Sequence, residues 1–174
     1  SALQLAVEIA GINEGDEVVI TRKIHGTNAR YGIVKKQKLS FLDKIKKFFK
    51  LADTWIEYEF VYGSHNVEKG SDSQGFYSED VWKTIAEKYR IKENLWNHVK
   101  ESYNPNQIGN SFIVYGEIYG PGIQGEHYTY NEKEVCFKGF DVVINEKYCD
   151  YEEKNIIFYH LDLPKVDLLY YGNW

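Results

Sequence analysis

Residues 23–28 read KIHGTN and offer, within six positions, an amine, an imidazole, a glycine and two small hydrogen-bonding side chains. A lysine amine attacks an electrophile only when it is neutral, and an ordinary lysine with a pKa near ~10.4 is almost fully protonated at pH 7. Such a nucleophile needs burial or a neighbouring cation. If the strand stays extended through Arg22, Lys23 and His25 point to the same side of the chain. A lysine before a turn is otherwise an ordinary surface residue. The four-residue pattern alone is frequent by chance.

A second informative stretch, residues 112–124, reads FIVYGEIYGPGIQ. Strand alternation places Phe112, Val114 and Ile118 on one face, which we predict to be core, and Glu117 on the other. A carboxylate in so apolar a strand needs a partner wherever it is buried. A ribose hydroxyl would be one such partner, and an ion pair or plain solvent exposure is the alternative.

A third stretch, residues 135–144, reads VCFKGFDVVI. Alternation predicts that Phe140 and Val142 share the core face and that Phe137 and Gly139 share the opposite face. Gly139 would leave a gap beside Phe137 in which a flat base could stack. The alternative is an ordinary aromatic residue in a second small core.

The elements that must position these residues are mostly strands. Alternating apolar residues predict five strands: Glu17 to Ile24, Ala29 to Lys35, Trp55 to Tyr62, Ser111 to Tyr119 and Glu134 to Asn145. Three helices are predicted: one in the lysine-rich stretch, one capped by Ser78 with Trp82, Ile85 and Tyr89 on its inner face, and one from Tyr151 to Leu161. Without regular alternation of strands and helices, this order favours an α+β fold with largely antiparallel sheets. The 174 residues fit one domain.

The charge is distributed unevenly along the chain. The net charge is −5, yet the segment from Lys35 to Lys50 carries seven lysines against Asp43. Such a segment is interpreted first as a solvated helix face, second as a nucleic-acid contact and third as a membrane contact. Two cysteines set no disulfide framework, and no signal peptide or membrane span is apparent. We therefore expect a protein of the cytoplasm or another intracellular compartment, with no membrane partner.

Taken in order, the three stretches resemble the motifs of the covalent nucleotidyltransferases, which include DNA ligases, RNA ligases and mRNA capping enzymes. The run KIHGTN is similar to the first motif of ligases of the RNA ligase 2 type, with His25 where DNA ligases and capping enzymes usually have Asp. Residues 115–120 match the third motif, and residues 137–141 match the aromatic motif that follows it. Residues 62–67 lie where the family has a Ser-Arg type of motif, with His65 in place of a frequent Arg.

The resemblance implies a ligase-type adenylyltransferase domain and a three-step reaction. A lysine attacks the α-phosphorus of ATP, AMP passes to an RNA 5′-phosphate, and a 3′-hydroxyl then seals the strand. On this basis Lys23 is the predicted nucleophile, while Ile24, His25 and Asn28 are predicted to contact the nucleotide or the reactive end. Glu117 is predicted to bind the ribose. The implied metal ion is Mg²⁺, with unknown ligands, and the implied partner is RNA, which the segment from Lys35 to Lys50 would also contact.

The same resemblance assigns Phe137 to stacking on adenine. Two family motifs are not found within the chain: the Glu-Gly motif and the Lys-x-Lys motif that follow the aromatic one. The sequence is therefore expected to be a single, incomplete adenylation domain. Two alternatives stay open, a nucleotide- or RNA-binding module without catalysis and a related DNA ligase or capping guanylyltransferase. His25 speaks against the latter pair.

Overall fold

A computed structural model describes residues 9–49, 53–64, 67–69, 80–124 and 130–174 of the chain. Two compact units are found. The smaller joins the described residues up to Lys23 with Val166–Trp174, and the larger is Ile24–Lys165. In the smaller unit, strand β1 (Glu17–Thr21) pairs antiparallel with strand β8 (Leu168–Asn173).

The larger unit is built on a six-stranded, fully antiparallel sheet with the strand order β4-β3-β2-β5-β6-β7. Its strands are β2 (Thr27–Lys35), β3 (Tyr58–Ser64), β4 (Val67–Lys69), β5 (Ser111–Tyr119), β6 (Cys136–Ile144) and β7 (Lys147–Tyr148). The predicted α+β class with largely antiparallel sheets is confirmed.

The described part of the larger unit also contains five helices. They are α1 (Phe41–Phe48), α2 (Val81–Lys88), α3 (Ile91–Ser102), the single turn α4 (Pro105–Ile108) and α5 (Tyr151–His160). Helix α3 packs on β2, α2 on β3 and α5 on β6. The apolar core lies between these helices and alternate residues of β2, β5 and β6, and Tyr31, Phe112 and Phe137 are its largest fully buried side chains from the sheet.

Several predicted elements are confirmed, with shifted ends. Strand β5 has the predicted bounds, and its predicted core residues are fully buried. In α2, Trp82 and Ile85 are buried as predicted, but the cap is Asp80, whose carboxylate accepts a hydrogen bond from the Lys83 N–H group at 3.2 Å. The predicted capping residue, Ser78, lies outside the described residues.

None of the described helices is long and apolar enough to cross a membrane. Both cysteines, Cys136 and Cys149, are free thiols, as the sequence analysis expected. Burial and the nearby Glu153 raise the pKa of the Cys149 thiol to about 12. That thiol is therefore protonated at neutral pH and is a poor nucleophile.

A buried histidine lies in the core on α3. The ring of His98 packs against Tyr103 and Phe112, and its centroid lies 5.4 Å from that of His160 on α5. Its Nδ1 atom lies 3.4 Å from the Ser102 hydroxyl, while Nε2 is buried with no hydrogen-bond partner among the described residues. Burial, and secondly repulsion from His160, lower the pKa of His98, against a smaller opposing effect of Glu101.

This lowered pKa predicts a loss of stability in acid. Because the unfolded chain binds the proton more readily than the folded protein, the free energy of unfolding should fall as the pH drops through about 6.5, the ordinary histidine pKa. The substitution His98→Leu should flatten that dependence, as measured by urea unfolding between about pH 7 and pH 5. An unchanged slope in the variant would assign the acid sensitivity to another group.

Candidate functional site

The proposed nucleophile, Lys23, follows the end of β1 and is the last residue of the smaller unit. Its side chain is exposed. Arg22, just before it, donates its backbone N–H to the carbonyl of Asp167 at 2.8 Å, and the two side chains form an ion pair at 3.7 Å. Strand β1 ends at Thr21, and the bond from Arg22 to Asp167 continues its pairing with β8 by one residue, so the common side of Lys23 and His25 stays a prediction.

The turn after Lys23 opens the larger unit and is fixed from several directions. Ile24 is buried, and His25 is exposed while its backbone N–H donates to the Tyr130 hydroxyl at 2.8 Å. Gly26 is buried against β5, where a Cβ atom would overlap the Ile118 carbonyl oxygen. The glycine of the KIHGTN run is therefore required by the close approach of two backbones.

Adding one methyl group at this turn should destabilise the protein. We expect Gly26→Ala to lower the free energy of unfolding by about 3 kcal/mol, because the obstacle is backbone that is fixed in the sheet. A matched control is Gly122→Ala, whose Cβ meets nothing within 4 Å and whose only strain is its positive φ of +77°. The control should lose about 1 kcal/mol. Equal losses in urea unfolding would show that Gly26 is not sterically required.

Asn28 and Glu117 are brought together by the sheet. They are direct partners across β2 and β5, and both are half-buried. The indole Nε1–H of Trp82 donates to the Asn28 carbonyl at 3.0 Å, while the Tyr31 hydroxyl donates to the Trp82 carbonyl at 2.9 Å. These bonds hold the main chain of Asn28 to helix α2.

The Asn28 side chain carries an unsatisfied acceptor. Its Oδ1 atom is buried and has no hydrogen-bond partner among the described residues. Leaving a buried acceptor unpaired costs about 1–3 kcal/mol, so such an atom points to an absent donor. The exocyclic amino group of adenine and the ribose hydroxyls are donors of this kind, and the residues present thus fit a nucleotide.

The predicted position of Phe137 is wrong. Its ring is fully buried, and it packs edge-on against Tyr31 at 5.7 Å and near Tyr89 at 6.2 Å. It also fills the space above Gly116, where a Cβ atom would overlap the ring. Phe137 is thus on the core face, opposite to the face predicted from alternation, and its enclosed ring does not fit the predicted stacking on a base.

An irregularity in β6 explains the error. Tyr115 pairs with Asp141, but the next residue of β5, Gly116, pairs with Gly139, so Phe140 is an extra residue in the ladder. Such a bulge shifts the alternation by one residue. Gly139 faces the core, since a Cβ there would overlap the Phe158 ring, and Val142 is buried in the core as well.

Phe140 is the aromatic residue that the bulge leaves on the other face. It is half-buried and, unlike Phe137, is not part of the apolar core. It lies beside the position of Tyr115, on the face that carries Asn28 and Glu117. Its role could not be predicted from the sequence, because nothing in an isolated strand sequence marks the bulge.

The structure locates only some of the other predicted features, which are His65, the lysine-rich segment and the metal site. His65, in the segment that resembles the Ser-Arg motif, lies outside the described residues. Within the described part of the lysine-rich segment, Lys36 pairs with Asp43 at 3.3 Å and Lys47 pairs with Glu57 at 2.8 Å. The described residues hold no group of three or more His, Cys, Asp or Glu side chains suited to a metal ion. We therefore assign no metal ligand.

Solved structures with the same fold come from an RNA ligase. The chain matches the Naegleria gruberi RNA ligase with PPi at 17% identity, with a TM-score of 0.60, over 92% of this chain and 38% of that chain. Point mutants of that ligase match at 16% identity with ATP and Mn (TM-score 0.63) and at 18% with AMP and Mn (TM-score 0.62), each over 98% of this chain and 41% of that chain. The chain thus spans about two fifths of these structures.

The comparison with curated proteins gives no match. The family model for RNA ligase matches residues 16–174, which include the KIHGTN run, β5 with Glu117 and β6 with Phe140. A match over so much of the chain, on a fold shared with a solved RNA ligase, is decisive: this chain belongs to the RNA ligase family.

Proposed function

We propose that the chain carries the adenylation chemistry of an ATP-dependent RNA ligase. The Lys23 amine attacks the α-phosphorus of ATP, which forms a P–N bond and breaks the bond to pyrophosphate. The AMP then passes to the 5′-phosphate of an RNA end, and a 3′-hydroxyl attacks that phosphate, sealing the strand and releasing AMP. The Naegleria gruberi relatives with ATP, AMP and PPi support a nucleotide as the ligand.

The observation that carries this proposal is the unpaired Oδ1 atom of Asn28 opposite Glu117. A buried acceptor beside a carboxylate suits a ligand with several donors, and the sugar and base of ATP provide them. Lys23 lies five positions before Asn28 in the KIHGTN run.

The other roles follow from the positions of the side chains. Glu117 binds the ribose, and Ile24 and His25 contact the nucleotide or the reactive RNA end. Stacking on adenine, predicted for Phe137, is reassigned to Phe140, because Phe140 lies outside the core on the face of Asn28. An aromatic ring stacked on a base contributes about 1–3 kcal/mol to binding.

The finer partners remain proposals. RNA with a 5′-phosphate and a 3′-hydroxyl is the substrate, and Mg²⁺ is the metal, although the solved relatives contain Mn. When bound, the metal ion would neutralise charge on the phosphate oxygens. The predicted RNA contact of the segment from Lys35 to Lys50 stays a prediction, and the ion pairs of Lys36 and Lys47 leave fewer lysines for phosphates.

The test is the intact mass of the purified chain before and after incubation with ATP and Mg²⁺. We expect the mass to rise by one AMP. In a second experiment with labelled ATP, an excess of unlabelled ATP should prevent labelling of the chain, whereas an excess of GTP should not. Competition by GTP alone would indicate a capping enzyme instead. Incubation of the AMP-carrying chain with nicked RNA and nicked DNA then compares the two acceptors, and transfer to DNA alone would contradict the RNA assignment.

A further inference from the structure

Helix α1 carries an apolar stripe that nothing in the described structure covers. Phe41, Leu42, Ile45, Phe48 and the cap residue Phe49 recur at helical spacing and lie on one side. Their exposed fractions range from 38% to 82%, and no residue of the helix is buried. Five adjacent large apolar side chains in solvent form a patch of the kind that marks an interaction surface.

The helix is attached to the larger unit by its polar side. Asp43 pairs with Lys36 at 3.3 Å, and Lys47 pairs with Glu57, the residue just before β3, at 2.8 Å. Asp43 and Lys47 are four positions apart and therefore share the helix face opposite the stripe. An amphipathic surface helix normally turns its apolar side inward, so the orientation of α1 is inverted.

Two further lysines flank the stripe. At about 100° per residue, Lys44 falls next to Phe48 on one edge and Lys46 falls next to Leu42 on the other. Neither lysine has an ion-pair partner among the described residues. Such lysines lay their methylene stems along an apolar surface and keep their ammonium groups at the level of anionic headgroups.

We propose that α1 lies in the surface of an anionic lipid bilayer, with the stripe among the acyl chains and Lys44 and Lys46 at the headgroups. Charge complementarity with Lys44 and Lys46 selects the anionic surface, and a stripe of large apolar side chains flanked by lysines is the pattern of a helix that lies in a membrane interface. In this proposal the helix anchors the protein at the membrane surface. It departs from the sequence-based expectations, which ranked a solvated face first, a nucleic-acid contact second and a membrane third for the lysine-rich segment, and which included no membrane partner.

The stripe fits RNA less well than lipid. Ile45 at its centre and Leu42 at one edge offer no flat ring for a base. The rings of Phe48 and Phe49 stand at 90° to each other, 5.2 Å apart, so they do not form a parallel clamp for one base. Phosphates would use only the lysines and would leave the apolar side chains in water.

The proposal is tested by flotation of the purified chain with vesicles. One set contains one part phosphatidylserine and two parts phosphatidylcholine, and the other contains phosphatidylcholine alone. We expect binding to the anionic vesicles, weakened by salt, and at least about tenfold weaker binding of Phe48→Glu. The matched control is Tyr159→Glu on α5, because Tyr159 is 83% exposed and Phe48 is 82% exposed. The control should bind like the original chain.

Two outcomes would overturn the proposal. One is no binding of the original chain to anionic vesicles. A Phe48-dependent interaction with single-stranded RNA in a filter assay, or with a second copy of the chain in sedimentation, would then identify the occupant of the stripe. The other is equal binding of Phe48→Glu and the original chain to anionic vesicles. Circular dichroism of both variants checks that they fold, which their exposed positions favour.

Discussion

Lys23→Ala should yield a chain that gains no AMP from ATP, while the original chain gains one AMP per molecule. The reason is covalent: without the Lys23 amine the proposed P–N bond cannot form. Intact mass spectrometry measures the difference directly. A P–N linkage is acid-labile, so brief acid treatment should remove the added mass and confirm the type of bond.

The control for this result is Lys92→Ala. Lys92 is another exposed lysine, but it lies on α3, distant in sequence from the KIHGTN run. That variant should gain AMP like the original chain. An adduct that survives in Lys23→Ala would contradict the proposed nucleophile. Absence of an adduct from the original chain as well would leave two explanations, a nucleotide-binding module or an adenylation domain that needs the two motifs not found within these residues.

Phe137 and Phe140, three positions apart in β6, should respond oppositely to truncation. Phe137→Ala removes a fully buried ring and should lower the free energy of unfolding by about 3–5 kcal/mol. Domains of this size have only about 5–15 kcal/mol in total. Phe140→Ala removes a ring outside the core and should cost under about 1 kcal/mol, while ATP binding weakens about tenfold.

The comparison is made by urea unfolding and by titration of each variant with ATP. Because Phe137→Ala could fail to fold, Phe137→Leu provides a milder variant that retains most of the buried volume. We expect Phe137→Leu to bind ATP normally despite its lower stability. Weakened ATP binding in Phe137→Leu, with normal binding in Phe140→Ala, would restore the original assignment of Phe137.

The sequence predicts correctly those elements in which apolar residues recur with a regular period. The alternation in β5 correctly places Phe112, Val114 and Ile118 in the core, because this strand has no irregularity on that face. The face of the sheet on which Phe137 lies was predicted wrongly, because one extra residue in β6 inverts the alternation. That extra residue is defined only by the register with β5. The pairing of Asn28 with Glu117 likewise depends on a register between distant strands.

Helix α3 was missed although its sequence contained a signal. Ile91, Leu95 and Val99 recur every four residues and are all fully buried. The start of the helix is unusual, since Arg90 takes a left-handed conformation and makes no side-chain capping bond. The pairing of β1 with β8 could not be predicted from the sequence, because no local pattern indicates that strands so distant in the chain pair with each other.

That last pairing sets an order of events during synthesis. A ribosome releases β1 early, yet its partner β8 begins only at Leu168, after every strand of the six-stranded sheet has been made. Closing so long a loop is slow compared with forming local hairpins. Newly made chains should therefore hold a finished central sheet while the strand that leads into Lys23 still waits for its partner. The final surroundings of Lys23 are then acquired only after the central sheet is complete.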